Sequence, residues 1–400
     1  MRKIISLAFI GFCCISIYAD NKENIKQEIR KLIHNGSLVL NDERSNTLIS
    51  INSETLFVPA SIIKIITSYI AIDILGINYK FRTEFYKDKD QNLAIKGWGD
   101  PFFISEEIDS IANRLKNLGI KYINKIYLDN SVFAPLVSIP GVSKTLNPYD
   151  ALNSALVVNF NTINIKKDKQ GKIYPGEAET PLTPLSISKG CAIQPGSTQR
   201  INLSYSKDEC LQYVGELVTA IFKKHGIVIK NNTYIFAPVT KKWNLIHVHK
   251  NSKSITTVLE GLLKYSNNFI ANQILLTISA ERKGTPATIE NGREIFTHYM
   301  NTKLNIPSTK FAISEASGIS RSNKITGNTM MIIMEKFRKY ADLLSCSNDI
   351  YSKSGTLTGV YNYAGYIKTP SGLYPYVLML NQEQNYRDKI LSLLADYCRL

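Results

Sequence analysis

The chain is poor in the residues that carry metal, redox and nucleotide chemistry. It has six cysteines in 400 residues and no Cys-x-x-Cys, so the common zinc and thiol-redox motifs are missing. Its five histidines (34, 225, 247, 249, 298) form no His-Glu-x-x-His, and His247-Val-His249 reads as strand alternation. Neither a Gly-x-Ser-x-Gly elbow nor a Gly-x-x-x-x-Gly-Lys-[Ser/Thr] loop is present, which leaves Ser-His-Asp and nucleotide mechanisms unsupported. No cofactor and no metal are expected. Internal repeats, low-complexity tracts and long linkers are absent too. The N-terminal apolar run, Ile4 to Tyr18, follows Arg2 and Lys3 and ends at the small Ala19. That is a secretory signal pattern, too short for a bilayer span of roughly 20 residues. No small-residue lipobox precedes Cys13 or Cys14. Residues 1–19 are therefore expected to be removed, with the remainder working outside the cytoplasm and at most peripherally associated with a membrane.

Export gives the remaining cysteines a meaning. Cys191, Cys210, Cys346 and Cys398 are even in number, which permits disulfides. Cys191 with Cys210 is the preferred pair because both lie in one middle segment; four buried free thiols is the other reading. The net charge of +15 is spread along the chain through general lysine richness rather than gathered into a patch interleaved with aromatics. It points to no nucleic acid and suits a solvated or anion-facing surface. The length allows two or three domains with a sizeable core.

Against this background three short motifs stand out in order: Ser61-Ile-Ile-Lys64, Ser266-Asn-Asn268 and Lys353-Ser-Gly-Thr356. Ser61 and Lys64 open an apolar stretch from Ile62 to Leu75, between Pro59 and Gly76, with the marks of a buried helix. Three residues apart on a helix, the two side chains share a face. A lysine in a desolvated cleft can serve as the base for a serine nucleophile, while the helix N-terminus offers N–H groups to a developing oxyanion. Ser266 lies between two helices (Thr256 to Lys264, Phe269 to Arg282), where its hydroxyl can relay a proton. It could equally be an ordinary N-cap. The amide of Asn268 can donate and accept, which suits gripping a peptide group.

Lys353, Ser354, Gly355 and Thr356 open an alternating stretch read as a strand from Thr356 to Lys368, turning at Pro370-Ser-Gly372 into Leu373 to Leu380. Gly355 lets a ligand backbone approach a strand edge. Lys353 and the two hydroxyls offer a cation and donors to a carboxylate, and a backbone N–H near Thr356 could complete the oxyanion hole. Ser186-Ile-Ser-Lys189, Ser204-Tyr-Ser-Lys207 and Ser50-Ile-Asn52 also fit single motifs, so order and context carry the weight. Further helices are read over Glu209 to His225, Thr326 to Leu344 and Arg387 to Tyr397. The fold class is α/β, a discontinuous domain made of both ends of the chain, with a β-rich insertion between.

At this point the chain resembles the class C low-molecular-mass penicillin-binding proteins, the D-alanyl-D-alanine carboxypeptidase/endopeptidase family. The resemblance rests on the ordered trio. It also rests on Lys353-Ser-Gly-Thr-Leu-Thr-Gly-Val-Tyr-Asn-Tyr-Ala-Gly365, on Ala316-Ser-Gly-Ile-Ser-Arg-Ser-Asn323, and on Gly97-Trp-Gly-Asp-Pro101 and Leu128-Asp-Asn-Ser-Val-Phe133. It implies a transpeptidase/β-lactamase-like domain, an antiparallel sheet flanked by helices, over 20–80 and 245–400. An inserted domain over 81–244 would hold a reduced nested subdomain near 160–207. It further implies a periplasmic serine peptidase that cleaves D-Ala-D-Ala ends, and often cross-links, of peptidoglycan stem peptides and is acylated by penicillins at Ser61. Arg321 would contact the end of the stem peptide's third residue. Three departures accompany it: Ser354 in place of threonine, Glu315-Ala316 in place of Asp-Gly, and Lys144 with no acid between Gly141 and Pro148. The alternatives are a serine β-lactamase or esterase on the same scaffold, or a catalytically weak peptidoglycan-binding protein.

Overall fold

A computed structural model describes residues 21–143 and 145–400; the expected signal segment and Lys144 lie outside the described residues. Ten helices follow one another among the described residues: α1 (21–32), α2 (Ile63–Leu75), α3 (Ser105–Asn117), α4 (Pro184–Gly190), α5 (Lys207–Lys224), α6 (Ile255–Lys264), α7 (Asn268–Lys283), α8 (Ile289–Lys303), α9 (Gly327–Phe337) and α10 (Arg387–Arg399). The chain divides into two compact units. One takes in residues 21–69 with Met300–Ser314 and Gly318–Leu400; the other is Ile70–Tyr299 with Glu315–Ser317.

The first unit is built on a six-stranded sheet in the order Ser345–Ser347, Ile350–Leu357, Val360–Thr369, Gly372–Leu380, Gly36–Asn41, Thr47–Ile51. Every neighbouring pair is antiparallel. Gly36–Asn41 is buried at every position, as a strand covered on both faces must be. Leu38 and Leu40 join Ile29 of α1, Ile33 just after it, and Ile390 and Leu394 of α10 in one apolar cluster. The alternate residues Ser37 and Val39 face Gly327 at the start of α9, so period-two alternation puts α9 on the opposite face. Two sequence expectations change here. The strand expected from Thr356 to Lys368 is two strands, because Thr358-Gly359 turns the chain and Gly359 takes a φ of +69°. The helix expected over 326–344 ends at Phe337 and tightens into a 3-10 turn, Arg338–Leu343.

The second unit has a five-stranded mixed sheet in the order Tyr234–Phe236, Ile126–Asp129, Leu93–Gly97, Arg82–Lys87, Asn244–Lys250. Its core joins sheet residues such as Ile95 and Leu128 to Ile108, Ile111 and Leu115 of α3 and Val214, Leu217 and Ile221 of α5. A separate antiparallel sheet (Ser197–Asn202, Thr162–Lys167, Ile173–Pro175) is accompanied by α4. The helices α6 and α7, grouped with the chain ends in the sequence division, cluster with this unit. Asn153 donates to the Phe269 carbonyl and to Gln273, and Gln273 donates to the Ser154 carbonyl.

The Cys191–Cys210 disulfide is not formed, and all four cysteines among the described residues are free thiols. Cys191 is exposed at the C-cap of α4, its Sγ turned to the Ile187 carbonyl. Cys210 is buried in α5 with its Sγ toward the Ser204 carbonyl, and burial pushes that thiol up to about 12. Two of the competing Ser-x-x-Lys motifs have structural duties. Ser186 completes a capping box with Thr183, Lys189 pairs with Glu209 at 3.0 Å, and the Ser204 hydroxyl also donates to Glu209.

Candidate active site

The segment leading into Ser61 is held by side chains from distant parts of the first unit. Asn362, fully buried on the strand behind Lys353-Ser-Gly-Thr356, donates to the Val58 and Pro59 carbonyls at 2.9 and 2.7 Å. Its Oδ1 accepts from the Leu380 N–H. Asn381 accepts from the Val58 N–H at 2.8 Å. Ala60 is forced into the left-handed region, φ +47°, before a 3-10 turn, Ala60–Ile62, passes into α2. A non-glycine residue held there stores strain that its surroundings must impose. Gly318 packs directly against it: a Cβ on that residue would lie 2.0 Å from the Ala60 carbonyl oxygen, and Gly318 itself has a φ of +85°. No other residue fits between Ser317 and Ile319 without moving the chain at Ser61.

Ser61 is partly exposed, while Lys64 is completely buried one turn along. Lys64 Nζ donates to Ser61 Oγ at 2.8 Å. The shared helix face expected from their spacing is thus realised as a direct contact, and the same contact run in reverse is a path for the serine proton. Gly355 closes the other side. A Cβ there would come within 2.7 Å of the Pro59 carbonyl and 3.0 Å of the Ser61 N–H, so the strand reaches Ser61 only as glycine.

Lys353 alternates with Gly355 on the buried side of the strand, and its Nζ donates to the Ser354 carbonyl at 2.9 Å. Burial pushes its ammonium down to about 8. Thr356 is exposed. Arg321 is also exposed and donates to the Thr358 carbonyl at 2.5 Å, beside the end of the same strand.

Ser266 and Asn268 belong to the second unit. Asn267, not Ser266, caps α7: its side chain accepts from the Ile270 N–H. Ser266 is therefore relieved of the ordinary capping duty and is held at a φ of +53°, in the left-handed region. Asn268 is the first residue of α7. That helix start is braced from two directions. One turn on, buried Asn272 donates to the Asn268 carbonyl and to Glu315 and accepts from the Ala316 N–H. Glu315 is also buried and takes the Ser317 N–H and hydroxyl. Phe160 sets its ring between Phe102 and Phe269 from a left-handed turn of three residues, Asn159, Phe160 and Asn161. None of Asn362, Gly318, Asn272 or Glu315 was picked out as functional by motif reading. Gly318 and Asn362 lay inside blocks already noticed and Glu315 beside one, but what they touch is far away in sequence.

A serine that follows a strained residue and leads into a buried helix, with a buried lysine against its hydroxyl and a glycine-bearing strand beside it, defines a serine acyl-transfer enzyme that works without histidine. Comparison with known proteins takes this further. The chain belongs to the D-Ala-D-Ala carboxypeptidase 3 (S13) family, whose model matches residues 22–188 and 186–350. It is similar to the D-alanyl-D-alanine carboxypeptidase DacB of Haemophilus influenzae, with 22% identity covering 88% of this chain and 86% of that one. The structure of penicillin binding protein 4 from the same organism shares the fold, with a TM-score of 0.75, 18% identity and coverage of 94% and 99%; that protein has also been solved with a β-lactam. A predatory peptidoglycan endopeptidase of Bdellovibrio bacteriovorus superposes with a TM-score of 0.55 at 16% identity, over 90% of this chain and 88% of that one. The chain is thus a serine hydrolase of the low-molecular-mass class C penicillin-binding protein type.

Proposed function

We propose that this hydrolase is a periplasmic D-Ala-D-Ala carboxypeptidase, and also a DD-endopeptidase, acting on peptidoglycan stem peptides. The observation that carries the reading is the 2.8 Å contact between Lys64 Nζ and Ser61 Oγ, with Gly355 against the Ser61 N–H. Neutral Lys64 takes the proton as Ser61 Oγ attacks the carbonyl of the penultimate D-alanine. The oxyanion forms against backbone N–H groups at Ser61 and Thr356. Ser266 relays the proton to the departing amine, and Asn268 grips the substrate peptide group. D-Alanine or, in a cross-link, the acceptor peptide leaves, and water hydrolyses the Ser61 ester. Lys353, Ser354 and Thr356 bind the terminal carboxylate, and Gly355 admits the substrate backbone. Arg321 serves the stem peptide's third residue. Penicillins acylate Ser61 as substrate mimics. Residues 1–19 act as the export signal, and 20–80 with 245–400 form the penicillin-binding domain around an insertion at 81–244, with 160–207 as its nested part.

The test is to treat the protein with labelled penicillin, map the adduct, and follow D-alanine release from a stem pentapeptide and cleavage of cross-linked muropeptides. A Ser61 adduct with D-alanine release is expected. Undiminished labelling of Ser61→Ala would remove the nucleophile assignment, and rapid penicillin turnover without D-alanine release would move the enzyme to the β-lactamases.

A further inference from the structure

Thr356 stands where the sheet leaves an edge open. The outer strand Ser345–Ser347 pairs with Ile350–Leu357 only as far as Ser352, so the stretch from Lys353 to Leu357 has a strand partner on one side only. By period-two alternation Ser354 and Thr356 share the face opposite to Lys353 and Gly355. A cation waits on that face. Arg387, the first residue of α10, donates from Nη1 to Thr356 Oγ1 at 2.6 Å. Its guanidinium lies over the Tyr363 ring, 4.7 Å from the centroid, and Tyr363 is the register partner of Ser354. The Tyr363 hydroxyl donates to Asp388 at 2.9 Å, which fixes the ring as a platform.

Two features show that this arginine is not consumed by the fold. Its Nε is buried and makes no hydrogen bond. The nearest carboxylate, Asp388, is 3.8 Å from that Nε and 74% exposed, too distant for a hydrogen bond and too solvated to neutralise the charge. A guanidinium fixed by stacking on Tyr363, with one N–H on a threonine hydroxyl beside an open strand edge, is placed to favour a carboxylate there. With its oxygen accepting from Arg387, the Thr356 hydroxyl is turned to donate its own hydrogen outward.

We propose that Arg387 is a specificity-determining positioning residue that, through Thr356, selects substrates whose leaving group carries a carboxylate beside the scissile nitrogen, as D-alanine does. This rests on the D-Ala-D-Ala peptidase reading and adds a residue that no motif of the chain includes.

Steady-state hydrolysis of an acyl-D-Ala-D-Ala peptide and of the same peptide ending in a carboxamide tests it. The proteins compared are the unaltered enzyme, Arg387→Gln, Arg387→Lys and Thr356→Val, each with a thermal melt. The unaltered enzyme is expected to prefer the acid strongly. Arg387→Gln is expected to shrink the acid-to-amide ratio of kcat/KM by about 10–100-fold, the value of a hydrogen bond to a charged group, mainly through KM for the acid. Arg387→Lys should restore part of the ratio, and adding Arg387→Gln to Thr356→Val should change it little further. A ratio unchanged in both Arg387 variants, or acid and amide rates falling together, overturns the proposal; should Arg387→Gln not fold, Arg387→Lys with Thr356→Val decides it. If the unaltered enzyme cleaves neither peptide, the peptidase reading itself falls, and the inference falls with it.

Discussion

At the residue scale, the backbone that carries Ser61 is shaped by residues distant from it in sequence. Ala60 is held left-handed just before Ser61, and Gly318 packs directly against its carbonyl. Gly318→Ala would need a Cβ at positive φ and a contact no structure accommodates, so the Ala60–Ser61 peptide must shift. The expected outcome is a Tm lowered by several degrees and penicillin acylation of Ser61 slowed at least tenfold, read by melting and by stopped-time labelling. Lys64 poses the opposite case. Lys64→Met removes the group in contact with Ser61 Oγ while filling much of the same buried volume. Acylation should fall by roughly 10²–10⁴-fold, the usual contribution of a positioned general base, with little loss of stability. A variant that labels at the normal rate would take the base role from Lys64.

At the element scale, α7 presents Asn268 from a terminus whose bonds are completed by neighbours. Asn267 supplies the cap, and Asn272 ties the first turn to buried Glu315. Asn272→Ala leaves that carboxylate short of a donor in a dry site. It should cost about 2–3 kcal/mol of stability by denaturant titration, the cost of leaving a buried acceptor short of a donor. Phe160 acts on the same terminus by packing against Phe269. Phe160→Ala is expected to cost about 2 kcal/mol, less than a fully buried phenylalanine because the ring is only partly enclosed. Serine–asparagine spacing announced Ser266 and Asn268, but not the brace. Its members Phe102, Asn159, Phe160 and Glu315 come from three stretches whose polarity and turn signals look ordinary in isolation. The unformed disulfide teaches the same lesson: Cys191 and Cys210 are close in sequence, yet one closes a helix at the surface and the other is buried within the next.

At the scale of the whole molecule, the site costs stability and the cost depends on pH. Lys353 titrates near 8 in the folded protein against 10.5 for an ordinary lysine, because burial penalises its ammonium. A depressed folded value means the unfolded chain binds more protons between those pH values. This group's contribution to stability is therefore present above about 10.5 and lost as pH falls through 8. Lys353→Met should accordingly raise stability at pH 7 by about 2–3 kcal/mol, with the advantage shrinking toward pH 10, while hydrolysis is lost. In the unaltered enzyme, turnover that uses the charged ammonium to hold a carboxylate should decline as pH rises through about 8. A flat profile from pH 7 to 9 would show that the Lys353 charge plays no part in turnover. Asp100 works in the other direction, its carboxyl pushed up to about 6 by complete burial. Its contribution is greatest below about 4 and lost as pH rises through 6.

What the sequence determined by itself is the local chemistry. Ser61 and Lys64 meet because a helix brings residues three apart to one face. The burial of α2 was readable because an apolar run with no polar side can only be interior. Lys353-Ser-Gly-Thr356 was readable as a strand with a glycine gap, although the turn at Thr358-Gly359 hid within its alternation. Tertiary structure alone decided what holds and tunes these groups. Asn362 reaches Val58 across 304 positions, Gly318 abuts Ala60, and Arg387 crosses from the last helix to Thr356. A hydrogen bond or a steric limit between distant residues leaves no periodic trace in the chain. It exists only once the sheet has set those residues side by side.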